Sequence, residues 1–133
     1  MIQKTTSREV VVRILQIEDD SKTSESVETI LRAEGHACDI AASGKTALDL
    51  ARATEYDLIL LDIGLPDIDG YEVLNQMRRT GVTTPVIVQS GLVLLKSKVE
   101  GLGVDDYLTK PFGRQQLAEC IESAVNDNDG RRS

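Results

Sequence analysis

Glu18, Asp19 and Asp20 follow one another at the end of a β-branched run, Val10 to Ile17, and a further acid, Asp62, ends the apolar run Leu58-Ile-Leu-Leu61. Each acid stands where a buried strand would meet a loop. If the two strands are neighbours, Glu18, Asp19 and Asp62 meet at one sheet edge. Carboxylates so placed repel: a pair at about 4 Å costs roughly 4 kcal/mol at an effective dielectric near 20. The cluster persists if a cation sits in it or if one acid stays protonated. Oxygen ligands, few in number and at an open edge, suit Mg2+, which keeps several waters and shares them with phosphate. A solvated acidic rim is the alternative reading of the same residues. Ser90 and Lys110 close two further strand-like runs, Pro85 to Gln89 and Asp106 to Thr109. A hydroxyl donor and an ammonium then project to the same edge, as a phosphoryl group in transfer requires. A lone lysine would read as surface charge, but Lys110 is restrained by Pro111.

The elements that must position these residues alternate along the chain. Leu58 to Leu61 is too short for a helix and shows no polar alternation, the pattern of a strand buried on both faces of a parallel sheet. A helix from about Ser21 to Glu34 repeats Val27, Ile30 and Leu31, with Ala33 a further candidate, and ends at Gly35. A strand over Ala37–Ala41 precedes a helix that opens at Ser43-Gly44 and buries Ala47, Leu48, Leu50 and Ala51. Asp69 to Glu72 has the form of a capping box before a helix that buries Tyr71 or Val73, Leu74 and Met77 and stops at Gly81. The last helix is expected over Arg114 to Val125, with Leu117, Ala118, Ile121 and Val125 inward. Five β-α repeats without a linker mean an α/β fold, a doubly wound five-stranded parallel sheet with right-handed crossovers. The flavodoxin-like order 2-1-3-4-5 puts its switch point between strands one and three, where ligands bind at the strands' carboxyl ends. That crevice joins Glu18 and Asp19 to Asp62. Asp20, one residue further on, reads as a helix N-cap rather than a ligand.

With 133 residues the chain suffices for one core without staples. The expected division is an N-terminal extension over 1–10, one domain over 11–126 and a flexible tail over 127–133. A net charge of −7 without a basic stripe argues against direct nucleic-acid binding. Few aromatics leave no stacking platform for single strands. No apolar run approaches the roughly 20 residues of a membrane span, and the first residues lack the apolar core of a signal peptide, so a cytoplasmic protein is expected. Cys38 and Cys120 have no metal-type spacing and read as reduced packing residues. His36 is single, follows a helix-ending glycine and reads as a surface residue.

Taken together, the acid pair Glu18-Asp19, Asp62 within Leu-Leu-Asp-Ile-Gly-Leu-Pro-Asp-Ile-Asp-Gly, Ser90 after Pro-Val-Ile-Val-Gln, and Asp105-Asp-Tyr-Leu-Thr-Lys-Pro-Phe112 resemble a response-regulator receiver domain. This is the phosphoacceptor module of two-component signalling, and the likeness runs from about Val12 to Val125. It implies that Asp62 takes a phosphoryl group from a phosphohistidine of a sensor histidine kinase or phosphotransfer protein, forming an acyl phosphate. It implies Mg2+ held by Asp19, Asp62 and the backbone carbonyl of Gly64, with Glu18 acting through water. Lys110 and Ser90 would bind phosphoryl oxygens. Ser90 moving toward the phosphate would let Tyr107 turn inward and reshape the face made by the fourth helix, the fifth strand and the last helix. Such a module catalyses only its own phosphoryl transfer and dephosphorylation. Gly64 offers no side chain beside the acyl phosphate.

The chain also departs from the family pattern. Ser90 and Lys110 are closer in sequence than usual, the loss falling around Gly101 to Asp105, and Leu92-Val-Leu-Leu95 is unusually apolar. If this segment is helical, Leu95, Val99 and Leu102 share one face and Val93 points nearly opposite. Either the output face is a dedicated partner or self-association surface, or a shortened helix tucks Leu92 to Leu95 against the core. Gly44-Lys45-Thr46 fails as a P-loop because Asp39 stands where its first glycine belongs. A haloacid-dehalogenase-type phosphatase would need an acid at Gly64, and a flavodoxin-like FMN binder would want Ser, Thr and Gly where the acids stand. A degenerate receiver that takes no phosphate is a further alternative. No effector domain follows in these residues, so output is expected through protein contacts unless a longer regulator contains them.

Overall fold

Leu58 to Leu61 are all wholly buried, and they form the middle of the sheet. β3 (Leu58–Asp62) lies between β1 (Arg13–Ile17) and β4 (Val86–Ser90), with β2 (Ala37–Ala41) and β5 (Val104–Thr109) at the edges. All pairings are parallel and the order is β2-β1-β3-β4-β5, the flavodoxin-like arrangement expected. The structure, a computed structural model, describes residues 12–90, 104–109 and 112–132. Lys110, Val93 and the helix expected between the fourth and fifth strands lie outside the described residues. So does the extension over 1–10.

Alternation along each strand sends side chains into two layers, as the pleat requires. Leu15, Ile17, Ile59, Leu61, Val86 and Val88 face α2 (Gly44–Ala53) and α3 (Gly70–Arg79), which contribute Ala47, Leu48, Val73, Leu74 and Met77. Ile14, Leu58, Leu60, Ile87 and Leu108 face α1 (Ser21–Ala33) and α4 (Arg114–Arg132), which contribute Val27, Leu31, Leu117, Ile121 and Ala124. Both layers are needed because a parallel sheet has no face that water can cover cheaply.

Several local expectations change. Ala33 is exposed, and on α1 the small polar Ser24 is buried with Val27 and Leu31. Its hydroxyl donates to the Ser21 carbonyl within the helix, which makes that burial tolerable. On α3 the Asp69 carboxylate accepts from the Tyr71 N–H at 2.8 Å, but Glu72, expected to reach back to Asp69, accepts from Gln76 and Arg79 instead. Longer side chains one and two turns on compete for that carboxylate. α4 continues to Arg132 rather than ending at Val125; no proline interrupts the sequence there, so the backbone bonds continue. His36 is only 9% exposed, not a surface residue. Its Nδ1 accepts from the Val12 N–H at 3.2 Å, tying the entry of β1 to the entry of β2. Burial holds its pKa below the ordinary value despite the opposing charge of Glu34. Both cysteines are free, and burial pushes the Cys38 thiol up to about 11, which fits a packing role. Between Val86 and Ile87 the register against β5 shifts, so that their partners are Val104 and Asp106. The irregularity falls at Asp105, in the stretch where the spacing is short.

Candidate functional site

The switch point of the sheet is the crevice between β1 and β3, and the acids meet there. Ligand oxygens of Glu18, Asp19 and Asp62 all lie within 4.8 Å of one another. β1 and β3 pair as Ile17 with Leu61, so Glu18 and Asp62 leave the sheet at the same level. Glu18 is 1% exposed and Asp62 6% exposed, while Asp19 sits at the open mouth.

Backbone amides fix the two buried carboxylates. The Asp20 N–H donates to Glu18 Oε2 at 3.2 Å, and the Gly64 N–H donates to Asp62 Oδ1 at 3.1 Å. The Glu18 N–H itself donates to the Ala41 carbonyl of β2. Charge-assisted bonds of this kind hold an anion without neutralising it. Asp20 takes the N-cap position of α1 with extended backbone, as expected, but its carboxylate accepts from the Thr23 hydroxyl and makes no cap bond to the helix backbone.

The loop after Asp62 is shaped by its glycines. A Cβ on Gly70 would lie 2.6 Å from Ile63 Cα and 2.9 Å from the carbonyl oxygens of Asp62 and Ile63, so α3 starts hard against the end of β3. The Gly70 N–H donates to the Ile63 carbonyl at 3.1 Å across that contact. At Gly64 the nearest atom to a Cβ among the described residues would be Asp62 Oδ1 at 3.9 Å, which leaves open space beside the carboxylate among those residues.

The donor set fits a hard divalent cation. It offers carboxylate oxygens only, two of them buried and held by the backbone, with one exposed at the mouth where water can complete the shell. Magnesium favours such a set, because it keeps part of its hydration and needs few protein ligands. Ser90 ends β4, its backbone paired with Thr109 of β5, at the same carboxyl edge of the sheet where β3 ends on Asp62. Tyr107 is a backbone position in β5 opposite Val88.

Several polar residues beside the site or deep in the sheet were not legible beforehand. Gln89 pairs in register with Asp62 and is wholly buried, and neither end of its amide has a hydrogen-bond partner among the described residues. Gln16, also wholly buried, donates to the Ser24 carbonyl and to Cys38 Sγ. Asp67 accepts from the Gly44 and Lys45 N–H groups at 2.8 and 3.0 Å, joining the β3–α3 loop to α2. On the β2 side, Asp39 accepts from the Tyr56 hydroxyl at 2.7 Å, with Arg13 3.6 Å away and over the Tyr56 ring. Burial and this bond push the Tyr56 hydroxyl up to about 12. Asp39 is thus a structural acid. A cavity of about 460 Å³ between α1 and α4 shares no residue with the carboxylate cluster. Among the described residues no helix is long and apolar enough to cross a membrane.

The chain is similar to known proteins in sequence and in fold. Residues 14–122 match the family described as Response regulator receiver domain. The cell cycle response regulator CtrA of Brucella ovis is 41% identical over 121 residues, covering 90% of this chain and 52% of that protein. The chain therefore spans about half the length of the curated relatives it matches. A CheY-like receiver domain protein from Methanospirillum hungatei superposes with a TM-score of 0.86 at 28% identity, over 92% of this chain and 99% of that one. The receiver domain of a sensor histidine kinase from Pseudomonas aeruginosa, solved with a magnesium ion coordinated in its active site cleft, gives a TM-score of 0.79 at 29% identity. It covers 88% of this chain and 99% of that one.

Proposed function

The chain belongs to the response regulator receiver domain family, the signalling modules of two-component systems, and on that premise we propose that it accepts a phosphoryl group on Asp62 in the presence of Mg2+. The observation that carries the reading is the convergence of Glu18, Asp19 and Asp62 within 4.8 Å at the sheet's switch point. Phosphoryl acceptance is the general function of the family, and the similar Pseudomonas aeruginosa receiver domain holds a magnesium ion in its active site cleft.

In this reading Asp19, Asp62 and the Gly64 backbone carbonyl hold Mg2+, with Glu18 acting through water. When bound, the cation neutralises charge on the carboxylates and on the phosphoryl oxygens. One carboxylate oxygen of Asp62, whose Oδ1 accepts from the Gly64 N–H, is the nucleophile. That oxygen forms the new O–P bond as the N–P bond of a donor phosphohistidine breaks. The donor imidazole keeps the electron pair and takes a proton. Lys110 and Ser90 donate to the phosphoryl oxygens. The donor is a sensor histidine kinase or a phosphotransfer protein.

The acyl phosphate then biases a two-state face. Ser90 is drawn toward the phosphate, Tyr107 turns inward, and the output face that includes β5 and α4 changes its contacts. A downstream protein, or a second copy of the chain through the apolar stretch that contains Val93, reads that face. The test is incubation with Mg2+ and acetyl phosphate followed by intact-mass measurement, beside Asp62→Asn. Gain of one phosphoryl group by the wild type alone is the expected result. No gain, with Mg2+ binding also absent, would mean a degenerate receiver that works by constitutive contacts.

A further inference from the structure

The cation site proposed above depends on a loop, and what fixes that loop at its far end lies outside the carboxylate cluster. The stretch after Asp62 is pinned near β3 and β4 by four bonds: Ile63 N–H to the Gln89 carbonyl, Gly64 N–H to Asp62 Oδ1, Leu65 N–H to the Ile63 carbonyl, and Gly70 N–H to the same carbonyl. Between Leu65 and Asp69 the chain runs outward, and there Asp67 reaches across to a different element. Its two carboxylate oxygens accept separately, one from Gly44 N–H at 2.8 Å and the other from Lys45 N–H at 3.0 Å. These are the first two residues of α2, whose N-terminal amides have no partner inside the helix and favour an anion.

The contact is built rather than incidental. Gly44 is buried, and a Cβ there would lie 2.8 Å from Val73 Cγ2, 3.0 Å from Ile68 Cβ and 3.4 Å from Asp67 Oδ1. Glycine is thus what lets the loop, the start of α2 and the first turn of α3 close on one point. Pro66, immediately before Asp67, limits the backbone on that side. The helix also has a conventional cap of its own: Ser43 Oγ accepts from the Thr46 N–H at 3.2 Å. Two acceptors therefore serve the same helix end, but only one is part of the loop that follows Asp62. The two N–H bonds also hold the Asp67 carboxyl below its ordinary pKa, as a fully charged acceptor should be held.

We propose that Asp67 is a positioning residue for the cation site: by clamping the β3–α3 loop to the first two amides of α2, it holds Gly64 and the Asp62 carboxylate in place for Mg2+. The inference rests on the reading of Glu18, Asp19, Asp62 and Gly64 as the magnesium site. Asp67 touches neither the metal nor the phosphate in this account. It acts through the loop. Asparagine at this position keeps the shape but turns an N–H toward one of the two amides, so one bond becomes a repulsion.

The test is magnesium affinity, measured calorimetrically with Mg2+ alone on the wild type, Asp67→Asn and Ser43→Ala. Ser43→Ala removes a cap from the same helix without touching the loop, and so separates positioning from helix stability. Supporting residues behind a metal site commonly contribute 10–100-fold in affinity; for this more distant clamp a weakening of about tenfold is expected in Asp67→Asn, with Ser43→Ala binding as the wild type does. Hydrogen exchange at the Gly64 amide without Mg2+ should quicken in Asp67→Asn only. Unchanged affinity and unchanged exchange in Asp67→Asn would overturn the inference, as would an equal loss in Ser43→Ala. A wild type that binds no Mg2+ would overturn the magnesium site itself, and the inference with it; that result is distinct because it appears before any substitution is made.

Discussion

Replacing Gly70 by alanine tests how tightly the acceptor strand and α3 are joined. The added Cβ would lie 2.6 Å from Ile63 Cα and 2.9 Å from two backbone carbonyl oxygens. None of these atoms can rotate away, unlike the end of a side chain, so β3 or α3 must move. Overpacking a tight site costs about 1–3 kcal/mol. Separating the two elements also weakens the Gly70 N–H bond to the Ile63 carbonyl, about 0.5–1.5 kcal/mol. Alanine regains part of up to about 1 kcal/mol of helix propensity, but Gly70 is the first helical residue, where that term is small. The balance is a destabilisation of about 2–3 kcal/mol. Urea unfolding should show it as a midpoint lowered by about 1–2 M, given slopes of about 1–3 kcal/mol/M for small domains. Gly64→Ala is the matched control: among the described residues its Cβ meets only Asp62 Oδ1, at 3.9 Å, and its stability should stay within about 0.5 kcal/mol of wild type. A Gly70→Ala variant as stable as wild type would refute the claim that the start of α3 is seated on the β3 backbone.

Three further outcomes are expected. Gln89→Leu removes a buried amide without partners among the described residues and keeps a side chain of similar size, so unfolding free energy should rise by about 1 kcal/mol; a loss would mean that the amide is satisfied in solution. His36 has its pKa lowered by burial, so the unfolded chain takes up a proton first as pH falls below about 6.5. The His36 contribution is therefore intact above that pH and lost as pH falls toward the folded value. Urea midpoints should drop between about pH 7 and pH 5 in the wild type and drop less in His36→Gln; parallel curves would exclude the assignment. Finally, Gly64→Asn places a side chain in the open space beside Asp62 and should change the lifetime of the acyl phosphate, read as the rate of loss of the adduct; equal rates would show that water reaches the site independently of residue 64.

The sheet was legible because its signals are local. Leu58 to Leu61 could only be a strand buried on both faces, and Asp62 followed by Gly64 and Pro66 marked its end. The acids after β1 and β3 needed one further step, the strand order, and that follows from five β-α repeats. What stayed hidden depends on partners far along the chain. Asp67 carries the same turn signal whether or not Gly44 and Lys45, 23 and 22 residues earlier, offer their N–H groups. His36 looked exposed because it follows a glycine at a helix end, yet its ring closes over the Val12 amide. Gln16 and Gln89 occupy strand positions whose alternation points inward, and residue type argued against burial there. Tyr56 and Asp39 are joined by a hydroxyl bond that no periodicity encodes. The end of α4 is not legible because Asn126 to Gly130 offers nothing to bury, and helical backbone does not require it.

The central claim is that Asp62 is the phosphoacceptor and that Mg2+ is required for it. Its most direct test is peptide mapping after treatment with acetyl phosphate and borohydride, which reduces an aspartyl phosphate to homoserine, with and without Mg2+. Homoserine at position 62, formed only when Mg2+ is present, is the result predicted. Homoserine at another position, or none at position 62 in protein that demonstrably binds Mg2+ and has been offered several phosphohistidine donors, would contradict it.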